Sequence, residues 1–391
     1  MTQAPMEKIA GWNSFKLESD IVRAYITQKA GMLAPVYFDK NSDSPIQPYS
    51  ISPWCGREEL DADTPPILKV LRGDFFCSAF GENGDAYEGR NLPVHGETAN
   101  NDWTLTGYKE TDKGLRLDMQ MELKEQGGSC AGHTALVHGE NVIYQRHDCR
   151  GMDRPFNPGH HATLQFPDRE GAGRLAFSPF KHAHTLIHPA EDPSAKGYSI
   201  LKPDQEITDL TRVSRIDGIT TDLTQYPARR GYEDIAIICA DPSLELAWSS
   251  VTFDKGYVWY SLRDPKHFPC TLLWMSNGGR HYAPWNGRHI NVLGVEDMTG
   301  FFHLGLAPSV RDNILNAQGI QTSMEIEKDA VAKLPYIQGV CRVPEGFDRV
   351  AKIEAISDSE ILLRSESGKE QRAKCRADFI RTGILPGILE V

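Results

Sequence analysis

The chain has no Lys/Arg-rich run to offset its acidic excess: 53 Asp and Glu against 42 Lys and Arg leave a formal charge of −11. A nucleic-acid backbone or an anionic membrane surface is repelled on average, so neither is expected as a partner. Missing too is an apolar stretch of the roughly 20 residues that a membrane helix requires. The opening MTQAPMEKIAGWNSFKLESD lacks the apolar core of a signal peptide, and the expectation is a soluble cytoplasmic protein. Cysteine lacks pattern rather than number. Cys55, Cys77, Cys130, Cys149, Cys239, Cys270, Cys341 and Cys375 are scattered without a CxxC pair. That argues against a disulfide framework or a zinc site and for reduced, mostly buried small side chains. Internal repeats, low-complexity runs and flexible linkers are absent, and helix signals are few. The best helix signal runs from Ser309 as N-cap through Val310, Ile314 and Ala317 to a stop at Gly319.

What is present is β structure. With 391 residues and 40% hydrophobic composition the chain can bury a large core. Its 34 glycines and 24 prolines divide it into short segments whose apolar side chains recur at every second position, the pattern of an all-β protein. After Asp112-Lys113-Gly114, residues Leu115, Leu117, Met119, Met121 and Leu123 alternate with polar ones, predicting a half-buried antiparallel strand. Trp248 to Leu262 predicts a hairpin turning at Asp254-Lys255-Gly256, and EILLRS with QRAKCRADFI predicts another across Glu366 to Lys369. The segments Asp39 to Pro53, Asn83 to Asn101 and Ala190 to Arg230 are polar and turn-rich, and read as long loops on that scaffold, where binding residues usually sit. Many strands without a break favour one sandwich domain over 1–391.

Several motif matches fail on context. GAGRLA (Gly171 to Ala176) fits a dinucleotide fingerprint as a string, but no buried strand precedes it and no helix follows, so it reads as a turn. GGSCA (Gly127 to Ala131) lacks the final glycine of a nucleophile elbow. His182, His184 and His188 in KHAHTLIHPAE want a nearby glutamate to make a cupin-like metal site, and Glu191 stands too far downstream; no metal is assigned.

Three other elements fit together. In NPGHHATLQFP, strand alternation puts His161, Thr163 and Gln165 on one face and Ala162, Leu164 and Phe166 on the other. His160 falls on the apolar side, as a core histidine satisfied by a backbone partner, and proton chemistry is assigned to His161. LPVHGETANNDW places His95 before a glycine in a polar loop. NVLGVEDMTG sets Glu296 on an apolar strand, with Gly294 two positions earlier on the same face leaving space beside the carboxylate. A carboxylate among Val292, Leu293 and Val295 is costly to bury without a partner or a task.

In this order these elements resemble the galactose mutarotase-like (aldose 1-epimerase) superfamily over roughly Ile21 to Leu306. AGMLAPVYF resembles its first hairpin, LRGDFFCSAFG and LPVHG its glycine-rich and first histidine segments, NPGHHATLQF its second histidine motif, and LGVED the strand with the catalytic glutamate. The resemblance implies a supersandwich of two large antiparallel sheets, with 307–391 adding a C-terminal helix and extra strands beyond the family core. It also implies interconversion of aldose anomers through the open-chain aldehyde, without metal or cofactor. His161 would then be the general acid, Glu296 the general base and His95 a sugar-orienting residue. Arg72 is compatible with the family's sugar-binding arginine, and Glu233 or Asp234 with its acidic sugar ligand. Gln165 shares the His161 face. Trp285 could stack on a sugar, with Asn286 and Arg288 donating to hydroxyls. Ala99 and Asn100 stand where hexose-6-phosphate members carry an arginine. A carbohydrate-binding protein without catalysis on the same scaffold is the alternative. Nothing in the sequence fixes the oligomeric state.

Overall fold

Period-2 patterning gives each strand one row of side chains for each of two neighbouring layers. The computed structural model describes residues 4–57, 60–152, 155–327 and 329–390. A nine-stranded antiparallel sheet runs, in spatial order, Gln225–Tyr226, Gly173–Phe177, Ala247–Phe253, Tyr257–Arg263, Val331–Arg342, Val142–Arg150, Ser129–Val137, Gly114–Glu122 and Thr104–Glu110. A six-stranded sheet runs Phe180–Thr185, Tyr232–Ala240, Cys270–Asn277, Val292–Met298, Gly159–Gln165 and Phe76–Cys77. Ala162, Leu164, Leu293 and Val295 of the smaller sheet share one core with Leu117, Ile143, Trp259 and Tyr336 of the larger. The N-terminal sheet of Met6–Ile9, Trp12–Glu18, Arg23–Thr27 and Leu33–Tyr37 adds Phe15, Leu17, Ile26 and Val36 to it.

The predicted strands form where the alternation places them. Gly114–Glu122 buries Leu115, Leu117, Met119 and Met121 and exposes Gln120 and Glu122. Asp118 departs from the pattern: it is buried because Arg116 and His133 bond its carboxylate. Ala247–Phe253 pairs with Tyr257–Arg263 around the expected turn. Of the other motifs, Gly173 and Arg174 open the strand Gly173–Phe177 directly after the turn at Gly171, and Ser129 opens Ser129–Val137.

The helix expected from Ser309 to Gly319 does not form as one unit. A single turn, Leu306–Val310, already contains Ser309, whose hydroxyl donates to Gly305 O at 2.6 Å and accepts from Phe301 N–H at 2.9 Å. Gly319, at φ +73°, closes only the short Asn316–Gln318 turn. At the other end, the strand predicted through QRAKCRADFI stops at Lys374, and Phe379–Thr382 turns helical so that Phe379 and Ile380 pack under the large sheet.

The chain after Leu306 divides in two. Val331–Arg342 is a central strand of the nine-stranded sheet, between Tyr257–Arg263 and Val142–Arg150, and so belongs to the sandwich itself. The three-stranded sheet of Val350–Ser357, Glu360–Ser365 and Glu370–Lys374 covers its far side, packing Ile353, Ile361 and Leu363 with Tyr144, Val258 and Tyr260. All eight cysteines are buried and free. No helix among the described residues is long and apolar enough to cross a membrane.

Candidate active site

The face of the six-stranded sheet turned away from the larger sheet carries side chains in cross-strand rows. His161 lies directly opposite Glu296, and Glu296 opposite Leu272; the next row holds Thr163, Gly294, Trp274 and Ile235; the third holds Gln165, Val292, Ser276 and Glu233. Directly opposed residues on antiparallel strands bring their side chains into contact. His161 Nε2 accordingly lies 3.3 Å from Glu296 Oε1. Gly294 leaves room beside them: a Cβ there would stand 2.2 Å from Glu296 Oε1 and displace the carboxyl group.

Loops and one short helix roof this floor. Pro66–Val70 and the residue after it bring Ile67, Leu68 and Leu71. The segment after Phe76–Cys77 brings Glu82, Val94 and His95, and the loops beyond Cys270–Asn277 and Val292–Met298 bring Arg280, Trp285 and His303. Together they line a half-open cavity of about 120 Å³. It adjoins an open cleft of about 1000 Å³ that shares Arg280 and Trp285 and adds Glu191, Asp192 and Tyr282. His95 hangs over His161 with ring centroids 4.8 Å apart, and its Nδ1 accepts from Gly81 N–H at 3.3 Å. The glycine after it is obligatory, because Gly96 has φ +75° and a Cβ would fall 1.7 Å from Ser78 O.

Burial acts on the central pair in opposite senses. It drives the Glu296 carboxyl well above the ordinary carboxylate range, against the pull of Arg280. It drives the His161 imidazole down to about 3, with the His161 backbone partner opposing and the fields of His289 and His303 adding. Burial therefore favours an uncharged pair with its proton on Glu296. His95 is likewise held well below the ordinary imidazole range by burial and by its histidine neighbours. His161 Nδ1 is buried without a hydrogen-bond partner, and Glu296 Oε1 meets only His161 Nε2. Unsatisfied polar atoms of this kind in a cavity suit a polar ligand.

Arg280, which the sequence reading passed over, organises the mouth. Its guanidinium lies 4.6 Å from the Trp285 ring and 5.4 Å from the Trp274 ring, and its Nε donates to Glu191 Oε1 at 2.5 Å. Glu233 faces the same side of the sheet one layer deeper, accepting from Trp274 Nε1, Ser276 Oγ and Gly279 N–H. Burial pushes its carboxyl up to about 7 against the pull of Arg280. His303 pairs with Glu82 across the opening at 3.1 Å.

Of the residues singled out from the sequence, His161, Glu296, His95 and Trp285 line the cavity. The others stand elsewhere. Arg72 is fully buried, its guanidinium donating to Val70 O, Ile9 O and Ala10 O and meeting Cys55 Sγ, so it ties the N-terminal hairpin to the roof. Asp234 points to the other face of its strand and accepts from the Ile200 and Leu201 N–H groups. Gln165 donates to Phe166 O, Ile290 O and Asn291 O at the rim. Asn286 is an exposed turn residue at φ +46°, and Arg288 donates to Pro284 O. His160 lies on the inner face as expected, but its partner is the Asp74 carboxylate at 3.0 Å rather than the backbone. His182 faces Glu206 and His184 bonds Thr185 O; among the described residues no group of three or more metal-ligating side chains comes together.

No family model matches the sequence, and no curated protein matches it. Solved structures do. Galactose 1-epimerase from Lactobacillus acidophilus superposes with a TM-score of 0.54 at 12% identity, covering 88% of this chain and 100% of that one. A galactose mutarotase/aldose epimerase homologue from C. elegans gives 0.51 at 12% identity, covering 85% and 99%. A TPR-domain containing protein from Parabacteroides distasonis also gives 0.51 at 12%, covering 85% of this chain but 48% of that one. The chain has the galactose mutarotase-like fold, and at these identities the likeness extends to the fold alone.

Proposed function

We propose that this chain is an aldose 1-epimerase-like isomerase that interconverts the α and β anomers of a sugar. One observation carries the reading: an imidazole and a carboxyl group stand 3.3 Å apart, opposite one another on adjacent strands, on the floor of the cavity. A general acid and a general base at that separation can reach a pyranose ring oxygen and the neighbouring anomeric hydroxyl. Burial keeps the pair's proton on Glu296; the hydroxyls of a bound sugar, with Arg280, favour the carboxylate, and the proton passes to His161. Glu296 then takes the anomeric hydroxyl proton while His161 protonates the ring oxygen. The ring C–O bond breaks and the aldehyde forms. Rotation of the aldehyde and reclosure by the reverse transfers give the other anomer. His95, over His161, orients the sugar, and Trp285 covers it.

The test is polarimetry or exchange NMR of freshly dissolved α-aldoses. Wild type speeds equilibration; His161→Asn and Glu296→Gln each lose at least about a hundredfold. No acceleration across hexoses, pentoses and their phosphates overturns the proposal. Sugar binding without acceleration would make the chain a carbohydrate-binding protein on this scaffold instead.

A further inference from the structure

We infer that the sugar taken by this site is neutral and carries an apolar group where an ordinary aldohexose carries a hydroxyl, a 6-deoxyhexose being the simplest case. The inference rests on the isomerase reading above and narrows its substrate.

The first support is the aliphatic share of the cavity wall. Ile67, Leu68, Leu71, Val94, Ile235 and Leu272 supply aliphatic wall on the roof and the floor alike. Several polar atoms between them are already engaged. Trp274 Nε1 donates to Glu233 at 3.1 Å, Arg280 Nε to Glu191, His303 Nε2 pairs with Glu82, and His95 Nδ1 accepts from Gly81 N–H. The buried polar atoms of lining side chains that lack a hydrogen-bond partner are His161 Nδ1, Glu296 Oε1 and His303 Nδ1. The reacting ring oxygen and anomeric hydroxyl claim the His161 and Glu296 groups. A further hydroxyl turned against the aliphatic wall loses its water without replacement, whereas a methyl group gains from the same contact.

The second support is charge. The cleft at the mouth is lined by Glu82, Glu191 and Asp192, with Arg280 held by Glu191. A phosphate or carboxylate on the sugar would enter against that acidic rim, with the nearest cation already paired.

The experiment is exchange NMR of anomerisation by the wild-type chain on matched series of one configuration and one enantiomer: 6-deoxyglucose, glucose and glucose 6-phosphate, then the galactose and mannose counterparts. Within the series that is accepted, kcat/KM is expected to favour the 6-deoxy sugar over the parent by about 10- to 100-fold, the range in which an apolar pocket discriminates against an added hydroxyl. The 6-phosphate is expected last. A parent hexose that matches or beats its 6-deoxy analogue overturns the inference and leaves the isomerase reading standing, as does a preferred phosphate. If nothing is accelerated, the isomerase reading falls, and calorimetric titration with the same sugars decides the inference separately: the 6-deoxy sugar must still bind about tenfold more tightly than its parent, and equal binding or none overturns it.

Discussion

The two faces of one strand pair carry the same chemistry and opposite consequences. His161 and Glu296 are opposed on one face, and their chain neighbours His160 and Asp297 are opposed on the other. All four are buried, at 5%, 1%, 0% and 0% relative exposure, so burial does not separate them. The hydrogen bonding of the two carboxylates does. Asp297 accepts from Ser261 Oγ at 2.5 Å, Tyr336 OH at 2.8 Å and Thr271 Oγ1 at 2.6 Å, and pairs with Arg263 at 2.9 Å. His160 is bonded to Asp74 and stacked on Tyr336 at 4.0 Å. Glu296 Oε1 has no neighbour of this kind beyond the His161 imidazole, and Glu296 lines the cavity. A buried carboxylate surrounded by donors is structure; one left beside an imidazole in a void is available for chemistry.

The comparison breaks most visibly at Asp297. Asp297→Leu leaves the Arg263 guanidinium buried without its counter-charge, and should cost about 3 to 5 kcal/mol in denaturant unfolding. Glu296→Gln should cost no stability while removing at least about a hundredfold of anomerase activity. If the Asp297 variant is as stable as wild type, or the Glu296 variant unfolds, the division between the faces fails.

Gly294→Ala tests the same division more gently. Its Cβ would overlap Glu296 Oε1 and approach Trp274 Cβ at 3.0 Å, displacing the carboxylate within an unchanged sheet. A loss of roughly ten- to a hundredfold in kcat, with circular dichroism and melting close to wild type, is the expected result. An unchanged kcat would mean that the position of this carboxylate does not matter.

How much of this was legible beforehand follows from how local each signal is. The alternation in GHHATLQ chose His161 over His160, and LGVE put Gly294 and Glu296 on one face, because a strand of mixed polarity declares its faces. The adjoining strand, CTLLWMSN, is buried on both sides, so its sequence could not say that Leu272 and Trp274 form the floor. Parity also decides between Glu233 and Asp234, but only once pairing with Cys270–Asn277 fixes which parity faces the cavity. Arg280 reaches the mouth by a loop, and its companions Glu191 and Trp285 are distant or irregularly spaced in sequence. Arg72 misled for the converse reason: its acceptors, Ile9 O and Ala10 O, lie some sixty residues earlier, in a turn that nothing local announces.

The smallest effect is a pH dependence of stability, and it has opposite signs at the two members of the pair. The Glu296 carboxyl is raised in the fold, so above its ordinary value of 4.5 the unfolded chain releases a proton that the native chain retains. Its contribution is full below pH 4.5 and is lost as the pH rises toward the folded value. His161 is lowered to about 3 from 6.5, so the unfolded chain binds the extra proton between those values and stability falls as the pH drops through that window. Glu296→Gln removes the first term. It should match wild type near pH 4.5 and become more stable than wild type as the pH rises toward 7. His161→Asn removes the second, and its stability relative to wild type should rise as the pH falls from 6.5. Urea unfolding of the three proteins between pH 4.5 and pH 7 reads both slopes. Parallel curves would mean that neither group is held away from its ordinary value, and that the cavity does not keep the pair uncharged. Slopes of opposite sign would tie the proposed activity of the outer face to the desolvation of a pair that lacks the counter-ion and donors found on the inner face.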